Sequence, residues 1–488
     1  MHLVEIARER VAICAARFDK RAMSGEDSSP LAAYGCWLAE VPGDWPDEAL
    51  HIARRALIDT VAVMVPGAAD SAPAKLWPVL SQFGNGPCRA VARGRDLSPP
   101  DAALFNGAAA HALDFDDNFD PAKAHASAVL VPALLAVADL EDASVGALLD
   151  GYICGLQVMG LVGQAVNPFH RSRGWHATGT LGTIGAAAGC ARMFGLDAHR
   201  AATAISISTS LAGGFMSQFG SDVKPLHAGL AARGGVEAAL FARAGMTAGS
   251  DTLDGPTGLR TLMVGPDVEE LAAAMEGKVE HGQTMRFRAS DVGTPLHILE
   301  HGLKVKRYPN CGSLHRALDG ILELRAAHGI DAEAVDHVLV RAPAAHLRNL
   351  MYEDPQTPAQ AKFSLEYSGA AALVTGNSTL ADYEREAIAR PDIRAHMPKI
   401  RKDYVEKLES EFPTEVHITM RDGTVHSTSV VMPAGSKAAP LTDAQLWTKL
   451  EGCLAAAPDF DHAGSLLGVL ADLDADRPVR HLTAAMQA

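Results

Sequence analysis

The spacing of apolar residues along the chain predicts a mainly α-helical protein. Apolar side chains recur every three or four residues from about residue 31 to 285, which is the period of a helix with one face buried. A short leading helix and a linker at 23–30 precede this region, and helical spacing returns over 441–488. The clearest helical segments are 101–113, 126–140, 146–164, 178–194 and 226–244.

The pattern changes after about residue 290. Residues 337–341 have the pattern of a strand, and 415–432 have that of a hairpin, because Asp422 and Gly423 separate two alternating runs. We therefore expect a large all-helical domain built from two chain segments, 1–289 and 433–488. A smaller α+β lid domain, 290–432, is inserted between them.

Glycine and alanine interrupt several helical segments, as in the stretch 179–189. A glycine inside a helix costs up to about 1 kcal/mol relative to alanine. We expect helix backbones that approach each other closely at these positions as the compensation.

Composition argues against several kinds of partner. The formal net charge is −15 over 488 residues, whereas nucleic acids and anionic membrane surfaces select basic proteins. A small anionic carboxylate remains a suitable substrate, because a few local cations are enough to define its pocket. We interpret 129–140 as the longest apolar stretch; it contains Pro132 and Asp139 and is too short to span a bilayer. The expected location is the cytoplasm.

Acidic residues cluster directly after the helical segment 101–113, as Asp114, Asp116, Asp117 and Asp120, with Asn118 among them and His125 soon after. Such a cluster fits capping acids at a helix end, although acids disfavour that end of the helix dipole. It also fits a substrate site or, as a D-D-x-x-D pattern, a Mg²⁺ and diphosphate site. No second acidic motif accompanies it and only 5% of residues are aromatic, so the Mg²⁺ interpretation is disfavoured.

Two predicted helix starts carry further candidates. His176 begins a helix rich in glycine and alanine. The positive end of the helix dipole lowers the pKa of a histidine there and attracts a carboxylate; a capped core histidine is the alternative. Lys224 precedes Pro225, a residue common at the first helical position. It is placed to bind a carboxylate, with a surface lysine as the alternative.

Cations also precede the α+β region. Lys306 and Arg307 stand before Tyr308, with Cys311 and His315 following, an arrangement typical of an anion-binding edge. Cys311 and His315 lack two further ligands at zinc spacing. The seven cysteines of the chain contain no C-x-x-C pair, so we expect neither a disulfide framework nor a zinc site. We expect no other metal and no organic cofactor.

Five separated stretches together resemble the MmgE/PrpD family in their order and approximate spacing: 106–117 with His125, 174–180, 224–229, 306–315 and 361–367. That family includes 2-methylcitrate dehydratase, cis-aconitate decarboxylase and iminodisuccinate epimerase. The resemblance implies a large helical domain with an inserted α+β lid, a site between the two domains, and a homodimer. It covers roughly residues 30–460.

The resemblance also implies which residues line the site: Asp114, His125, His176, Lys224, His315 and Tyr367. We assign catalytic roles to His125, His176, Lys224 and His315. Substrate contacts are assigned to Asp114, Asn118, Lys306, Arg307 and Tyr367. At 118–120 the chain departs from members that carry Thr or Tyr and then His after the acidic pair.

Such a site suits proton transfer on a small di- or tricarboxylate. Removing a proton beside a carboxylate builds negative charge, which cations stabilise, while histidines hold or release the proton. Loss of hydroxide, loss of CO₂, or return of the proton gives a dehydratase, a decarboxylase or an epimerase. We expect a hydro-lyase similar to 2-methylcitrate dehydratase, with the other two reactions as alternatives. A non-catalytic relative that binds polycarboxylates is the rival from another class.

Overall fold

The computed structural model describes residues 29–277, 280–290, 292–408 and 411–487, which fall into two compact units. The helical unit contains residues 29–112, 116–303 and 457–487. The α+β unit contains residues 113–115 and 304–456. The expected leading helix and residues 23–28 of the expected linker lie outside the described residues.

The helical unit confirms the mainly α-helical fold. Within the described residues, its first seven helices are α1 (Pro30–Glu40), α2 (Asp47–Gly67), α3 (Ser71–Phe83), α4 (Pro99–Ala112), α5 (Ser127–Glu141), α6 (Val145–Val166) and α7 (Phe169–Ser172). The next six are α8 (Ala177–Met193), α9 (Ala198–Thr209), α10 (Val223–Arg243), α11 (Leu259–Val264), α12 (Val268–Ala274) and α13 (His297–Glu300). Two helices near the carboxyl end, Ala463–Ala471 and Arg480–Ala485, and a short antiparallel pair, β1 (Cys88–Arg89) and β2 (Asp96–Leu97), complete it.

Helix α6 is the most apolar long helix of this unit. Ser144 caps its first turn by accepting a hydrogen bond from the Ala147 N–H at 3.3 Å. By length and composition α6 is able to cross a membrane, but 83% of its apolar window is buried inside the protein, as in the core helix of a soluble protein. The expectation that 129–140 is the longest apolar stretch was wrong, because interspersed glycine and glutamine obscured the longer run.

The glycines inside the helices mark close backbone contacts, as expected. A Cβ added at Gly155 of α6 would lie 2.7 Å from the Gly185 carbonyl oxygen of α8. One added at Gly189 would lie 2.7 Å from the Gly151 carbonyl oxygen. Real Cβ atoms do not approach oxygen so closely, so only glycine permits this helix spacing.

The α+β unit is built around a four-stranded sheet in the order β4-β3-β5-β6. Its strands are β3 (Val335–Pro343), β4 (Ile400–Val405), β5 (Thr414–Met420) and β6 (Val425–Val430). Strands β3 and β4 are parallel, whereas β3 with β5 and β5 with β6 are antiparallel. Its helices are α14 (Gly312–His328), α15 (Ala344–Leu347), α16 (Pro358–Ala361), α17 (Leu365–Thr375), α18 (Arg385–Ile388), α19 (Pro391–His396) and α20 (Asp443–Ala455).

The sheet follows from the alternation that the sequence displays. Val338 and Val340 of β3 and Val416 and Ile418 of β5 are buried in one core with Ile321 of α14. The expected strand and hairpin are both present, and the hairpin turns at Gly423, whose φ is +87°.

The bounds of the α+β unit, 304–456, differ from the 290–432 of the sequence expectation. At the start, the Val305 N–H donates to the Gly435 carbonyl at 2.9 Å, which joins the two ends of the segment. Helix α20 also belongs to this unit, where Lys449 donates to the Phe115 carbonyl at 2.7 Å. Long-range hydrogen bonds of this kind leave no local trace in the sequence.

Replacing Gly155 by alanine should destabilise the fold, because the new methyl group would force α6 and α8 apart. We expect the free energy of unfolding to fall by about 1–3 kcal/mol, measured by chemical denaturation. Gly468→Ala is the matched control: it lies within the helix Ala463–Ala471 with open space around its Cβ position. That variant should be neutral or more stable by up to about 1 kcal/mol. Equal effects at both sites would contradict the packing argument.

Candidate active site

A buried carboxylate between two imidazoles starts the site in the helical unit. His111 lies in the last turn of α4, and its Nδ1 is 2.9 Å from Asp116 Oδ2. His125 Nδ1 lies 3.0 Å from the same oxygen. Asp116 and the His111 side chain are fully buried. Asp116 thereby fixes the orientation of both rings.

The Asp116 carboxyl and the neighbouring His111 ring differ in their charge. Burial alone would raise the pKa of Asp116, but His111 and His125 hold it well below its usual range, so the carboxyl is ionised. Burial, aided by the nearby Lys224 cation, lowers the pKa of His111 to about 3. At neutral pH the carboxylate is therefore anionic and His111 is neutral.

His176 stands at the amino end of α8, as the sequence predicted. It is the N-cap residue, and its backbone N–H donates to the Gly214 carbonyl at 3.0 Å. Its ring packs edge-on against Phe219 with 4.9 Å between centroids and stacks 6.0 Å from His111. Burial and the neighbouring groups, including His111 and Lys224, hold the pKa of His176 well below its usual range.

His227 on α10 is the direct partner of His176. The two Nδ1 atoms are 2.9 Å apart, so one nitrogen donates and the other accepts, and the pair shares a single proton. Burial, followed by the field of Lys224, lowers the pKa of His227. His227 also lines a cavity of about 390 Å³ together with Gly179, Gly214 and Phe215. We call His111, His125, His176 and His227 the imidazole cluster.

Lys224 supplies the positive charge of the site. It is the second residue of α10 and only 6% exposed. Its Nζ lies 5.7 Å from the centroid of the Phe219 ring, which is within reach of a cation–π interaction. Its field lowers the pKa of His111, His176 and His227. A buried lysine beside neutral imidazoles is suited to an anionic ligand.

Neighbouring polar groups anchor the segment that carries Asp116. Asp117 accepts hydrogen bonds from the Ser127 N–H at 3.2 Å and from the Ser127 hydroxyl, which also contacts the Tyr152 hydroxyl at 2.7 Å. Burial raises the pKa of Asp117 to about 7. The Thr178 hydroxyl accepts the His125 backbone N–H at 3.1 Å. These bonds join the acidic run to the starts of α5 and α8.

The α+β unit holds a second charged group. Lys306 is 2% exposed, and its Nζ donates to the Asp114 carbonyl at 2.8 Å and pairs with Asp114 Oδ1 at 3.0 Å. His315, in the first turn of α14, packs edge-on against Tyr308 with 5.2 Å between centroids. Burial and then Lys306 lower the pKa of His315 to about 3. Asp114 and Lys306 are thus in direct contact, and His315 lies close enough for both charges to act on it.

Three assigned substrate contacts have other surroundings. Arg307 is exposed, pairs with Asp319 at 3.4 Å, and lies over the Tyr308 ring. Tyr367 is fully buried in the hydrophobic core of the α+β unit, and its hydroxyl donates to the Asp382 carbonyl. Asn118 is partly buried and forms an isolated β-bridge directly after Asp117. The described structure places none of these three in either charged group.

Sequence reasoning did not select His111, Asp116 or His227 as site residues. All three lie inside the quoted motifs, at 106–117 and 224–229. His227 follows Lys224 by three residues, a spacing that puts both on one side of a helix. His111 was not selected because it lies before the end of its helix. No local sequence pattern predicts the turn that brings Asp116 back towards it.

The residues of the imidazole cluster also have the chemistry of metal ligands. Donor atoms of His111, Asp116 and His125 lie within 4.8 Å of one another. However, the Nδ1 atoms of both histidines point at the Asp116 carboxylate. The His111 Nδ1 is hydrogen-bonded to the carboxylate, and His125 Nδ1 lies within ion-pair distance of the same oxygen, so both rings face Asp116.

The chain is similar to known proteins over most of its length. Residues 37–271 match the MmgE/PrpD N-terminal domain and residues 308–466 match the MmgE/PrpD C-terminal domain. Human (Homo sapiens) cis-aconitate decarboxylase is 26% identical over 392 residues, covering 78% of this chain and 77% of that protein. The cis-aconitate decarboxylase-like protein oryM of Aspergillus oryzae is 26% identical over 460 residues, covering 88% and 92%. Cis-aconitate decarboxylase of Aspergillus terreus is 25% identical over 424 residues, covering 81% and 83%.

Both domains of the family are matched in order and together span most of the chain. This protein belongs to the MmgE/PrpD family.

Proposed function

We propose that this protein is a lyase that removes CO₂ from a small polycarboxylate of the cis-aconitate type without a metal or organic cofactor. The observation that carries the proposal is the buried Lys224 cation among neutral imidazoles. The relatives named cis-aconitate decarboxylase favour loss of CO₂ over the loss of water that the sequence first suggested.

A polyanionic substrate complements the electrostatics of this site. Transferring a carboxylate from water into a buried pocket is costly unless a cation and hydrogen-bond donors receive it. Lys224 supplies the cation, and the N–H groups at the start of α8, beside His176, supply donors. The net charge of −15 does not oppose this, because short-range interactions dominate at a buried site.

Decarboxylation makes two demands on the residues. The bond between carbon and the leaving carboxylate breaks, CO₂ departs, and the electron pair passes into the double bond conjugated with a retained carboxylate. A carbon–hydrogen bond then forms with a proton from the enzyme. Lys224 stabilises the developing negative charge, a task worth roughly 10²–10³-fold in rate by analogy with oxyanion holes. A positioned acid contributes about 10²–10⁴-fold.

His176 is the best-placed proton donor of the imidazole cluster. In the free enzyme it is neutral, because burial and the field of Lys224 disfavour its charged form. The carboxylates of a bound substrate outweigh the positive field of Lys224 and raise the pKa of His176. Substrate binding therefore leads His176 to take up a proton. His227, 2.9 Å away, restores the proton after each turnover and exchanges it with solvent through the cavity that it lines. Asp116 orients His125 as a second contact to the substrate.

The assay that tests the reaction is proton and carbon NMR on cis-aconitate, citrate, 2-methylcitrate and iminodisuccinate. We expect CO₂ release from cis-aconitate with a new pair of vinyl protons in the product. Formation or loss of a double bond without CO₂ would indicate a dehydratase instead, and deuterium exchange alone an epimerase. Binding without turnover of any of the four would indicate a non-catalytic relative.

The variants His176→Ala and Lys224→Met should each lower kcat/KM by at least about 10²-fold. The first removes the proton donor, and the second keeps the length of the side chain but removes its charge. Steady-state kinetics and circular dichroism separate activity from folding. Lys75→Ala is the control, since Lys75 is an exposed lysine paired with Asp222. Near-wild-type turnover in both variants would contradict the assignment.

Binding of a non-reactive tricarboxylate, such as propane-1,2,3-tricarboxylate, should take up protons at pH 7. The pKa of His176 is well below its usual range in the free protein and rises beside bound carboxylates, so binding draws protons from the buffer. Isothermal titration calorimetry in two buffers of different ionisation enthalpy measures this uptake. His176→Gln should bind with a smaller uptake. Zero uptake by the wild type would contradict proton loading by substrate.

We also propose that the enzyme is a homodimer, as the family resemblance implies, and that it is cytoplasmic, as its composition suggests. Light scattering after size-exclusion chromatography measures the assembly directly.

A further inference from the structure

A second group of histidines lies in the helical unit, outside the imidazole cluster. His297 begins α13 and His301 caps its carboxyl end, with Glu300 beside it. In sequence they read His-x-x-Glu-His, with the two histidines four residues apart. This pattern occurs in metal-binding helices. Donor atoms of His297, Glu300 and His301 lie within 4.8 Å of one another.

His297 is the buried member of this group. It is 0% exposed, and neither ring nitrogen has a hydrogen-bond partner among the described residues. An unpaired polar group at such a position destabilises the folded state unless a ligand satisfies it. Its ring fits against α6 at Gly160, where a Cβ would lie 2.3 Å from His297 Nδ1.

The backbone around His297 is firmly held. The His297 N–H donates to Gln157 Oε1 at 2.7 Å, and Gln157 Nε2 donates to the Val292 carbonyl at 2.6 Å. Gln157 belongs to α6, so the longest helix of the unit fixes the position of α13. A site positioned by such bonds needs little rearrangement to bind a ligand.

His301 and Glu300 complete the group. The His297 and His301 rings are 5.2 Å apart between centroids with 67° between their planes. Glu300 Oε2 lies 3.5 Å from His301 Nε2. His301 Nε2 also lies 3.3 Å from Gln164 Nε2, a long contact that a metal–nitrogen bond would replace. The Glu300 side chain is 45% exposed and leaves a path from solvent.

We propose that His297, Glu300 and His301 form a binding site for a divalent transition-metal ion, for which Zn²⁺ is the best match. Two imidazoles and one carboxylate are a ligand set that zinc uses, with water in the fourth position. Mg²⁺ and Ca²⁺ prefer oxygen ligands and fit this set poorly. The ion satisfies the buried His297 ring and stabilises the folded state, because it binds that state alone. The site has no part in the proposed decarboxylation.

The test is calorimetric titration of chelator-treated full-length protein with ZnCl₂, with Tm measured in parallel. We expect one tightly bound ion per chain, a rise in Tm, and Co²⁺ absorption bands typical of four ligands. Glu300→Gln should weaken Zn²⁺ binding by at least about 10-fold. Since Glu300 is largely exposed, this variant should fold, and circular dichroism without metal checks that it does. His301→Ala should weaken binding at least as much.

Two controls separate this site from other histidines. His125→Asn removes a donor of the imidazole cluster, and His328→Ala removes one of the stacked pair His328 and His426 in the α+β unit. Both should bind Zn²⁺ as the wild type does. Absence of stoichiometric binding would overturn the proposal. So would full affinity in Glu300→Gln and His301→Ala, or loss of affinity in His125→Asn alone.

Discussion

The close approach of α4, α8 and α10 is the constraint on which the site of the helical unit depends. A Cβ at Gly107 of α4 would lie 2.8 Å from the Gly229 Cα of α10, and one at Gly235 would lie 2.3 Å from the Ala186 Cβ of α8. Helices that touch through their backbones bring the residues at their ends within hydrogen-bonding range. His111, His176 and Lys224 lie at three such ends. A larger residue at Gly107 would move Lys224 away from His111, and one at Gly235 would move it away from His176.

The meeting of the ends of α4, α8 and α10 also determines which groups of the site are charged. Lys224 is a buried cation, Asp116 is a buried anion, and the rings around them stay neutral because burial penalises their charged forms. Buried charges are tolerated only where fixed dipoles and partners replace water. Asp116 obtains this support from His111 and His125. Under the proposed function, a substrate carboxylate interacts with the positive charge of Lys224, so an anionic substrate is compatible with a chain of net charge −15.

Much of this architecture was predictable from the sequence, and the exceptions have physical causes. Helix starts at His176 and near Lys224 follow from glycine, proline and helical spacing, and the hairpin follows from Asp422 and Gly423. Strand β4 (Ile400–Val405) was missed because this edge strand carries charged residues in place of alternating ones. The contact between His111 and Asp116 depends on a turn in which Asp114 adopts φ +53°. No local sequence pattern predicts this conformation.

Arg307 and Tyr367 lie outside both charged groups for a different reason. Arg307 and Tyr367 have the right chemistry for an anion site, and the resemblance supports Tyr367. Their partners, Asp319 and Asp382, lie 12 and 15 residues further along the chain. Tertiary packing decided between a pocket and a structural role, and a single sequence does not display that packing. The family could be identified from short motifs, whereas the surroundings of each side chain required the fold.

The protonation state of the free site bears on the choice between reactions. Neutral imidazoles are bases, so the resting site is ready to abstract a proton, as a dehydratase or an epimerase requires. A decarboxylase needs the opposite, a proton to deliver to carbon. The two requirements are reconciled if the bound substrate raises the pKa of His176, so that this ring takes up a proton from solvent. Three carboxylates exceed the single positive charge of Lys224, and the excess negative charge favours an imidazolium at His176, which His227 resupplies through their shared proton. A substrate with fewer carboxylates would leave the imidazoles neutral and direct the same residues towards proton abstraction.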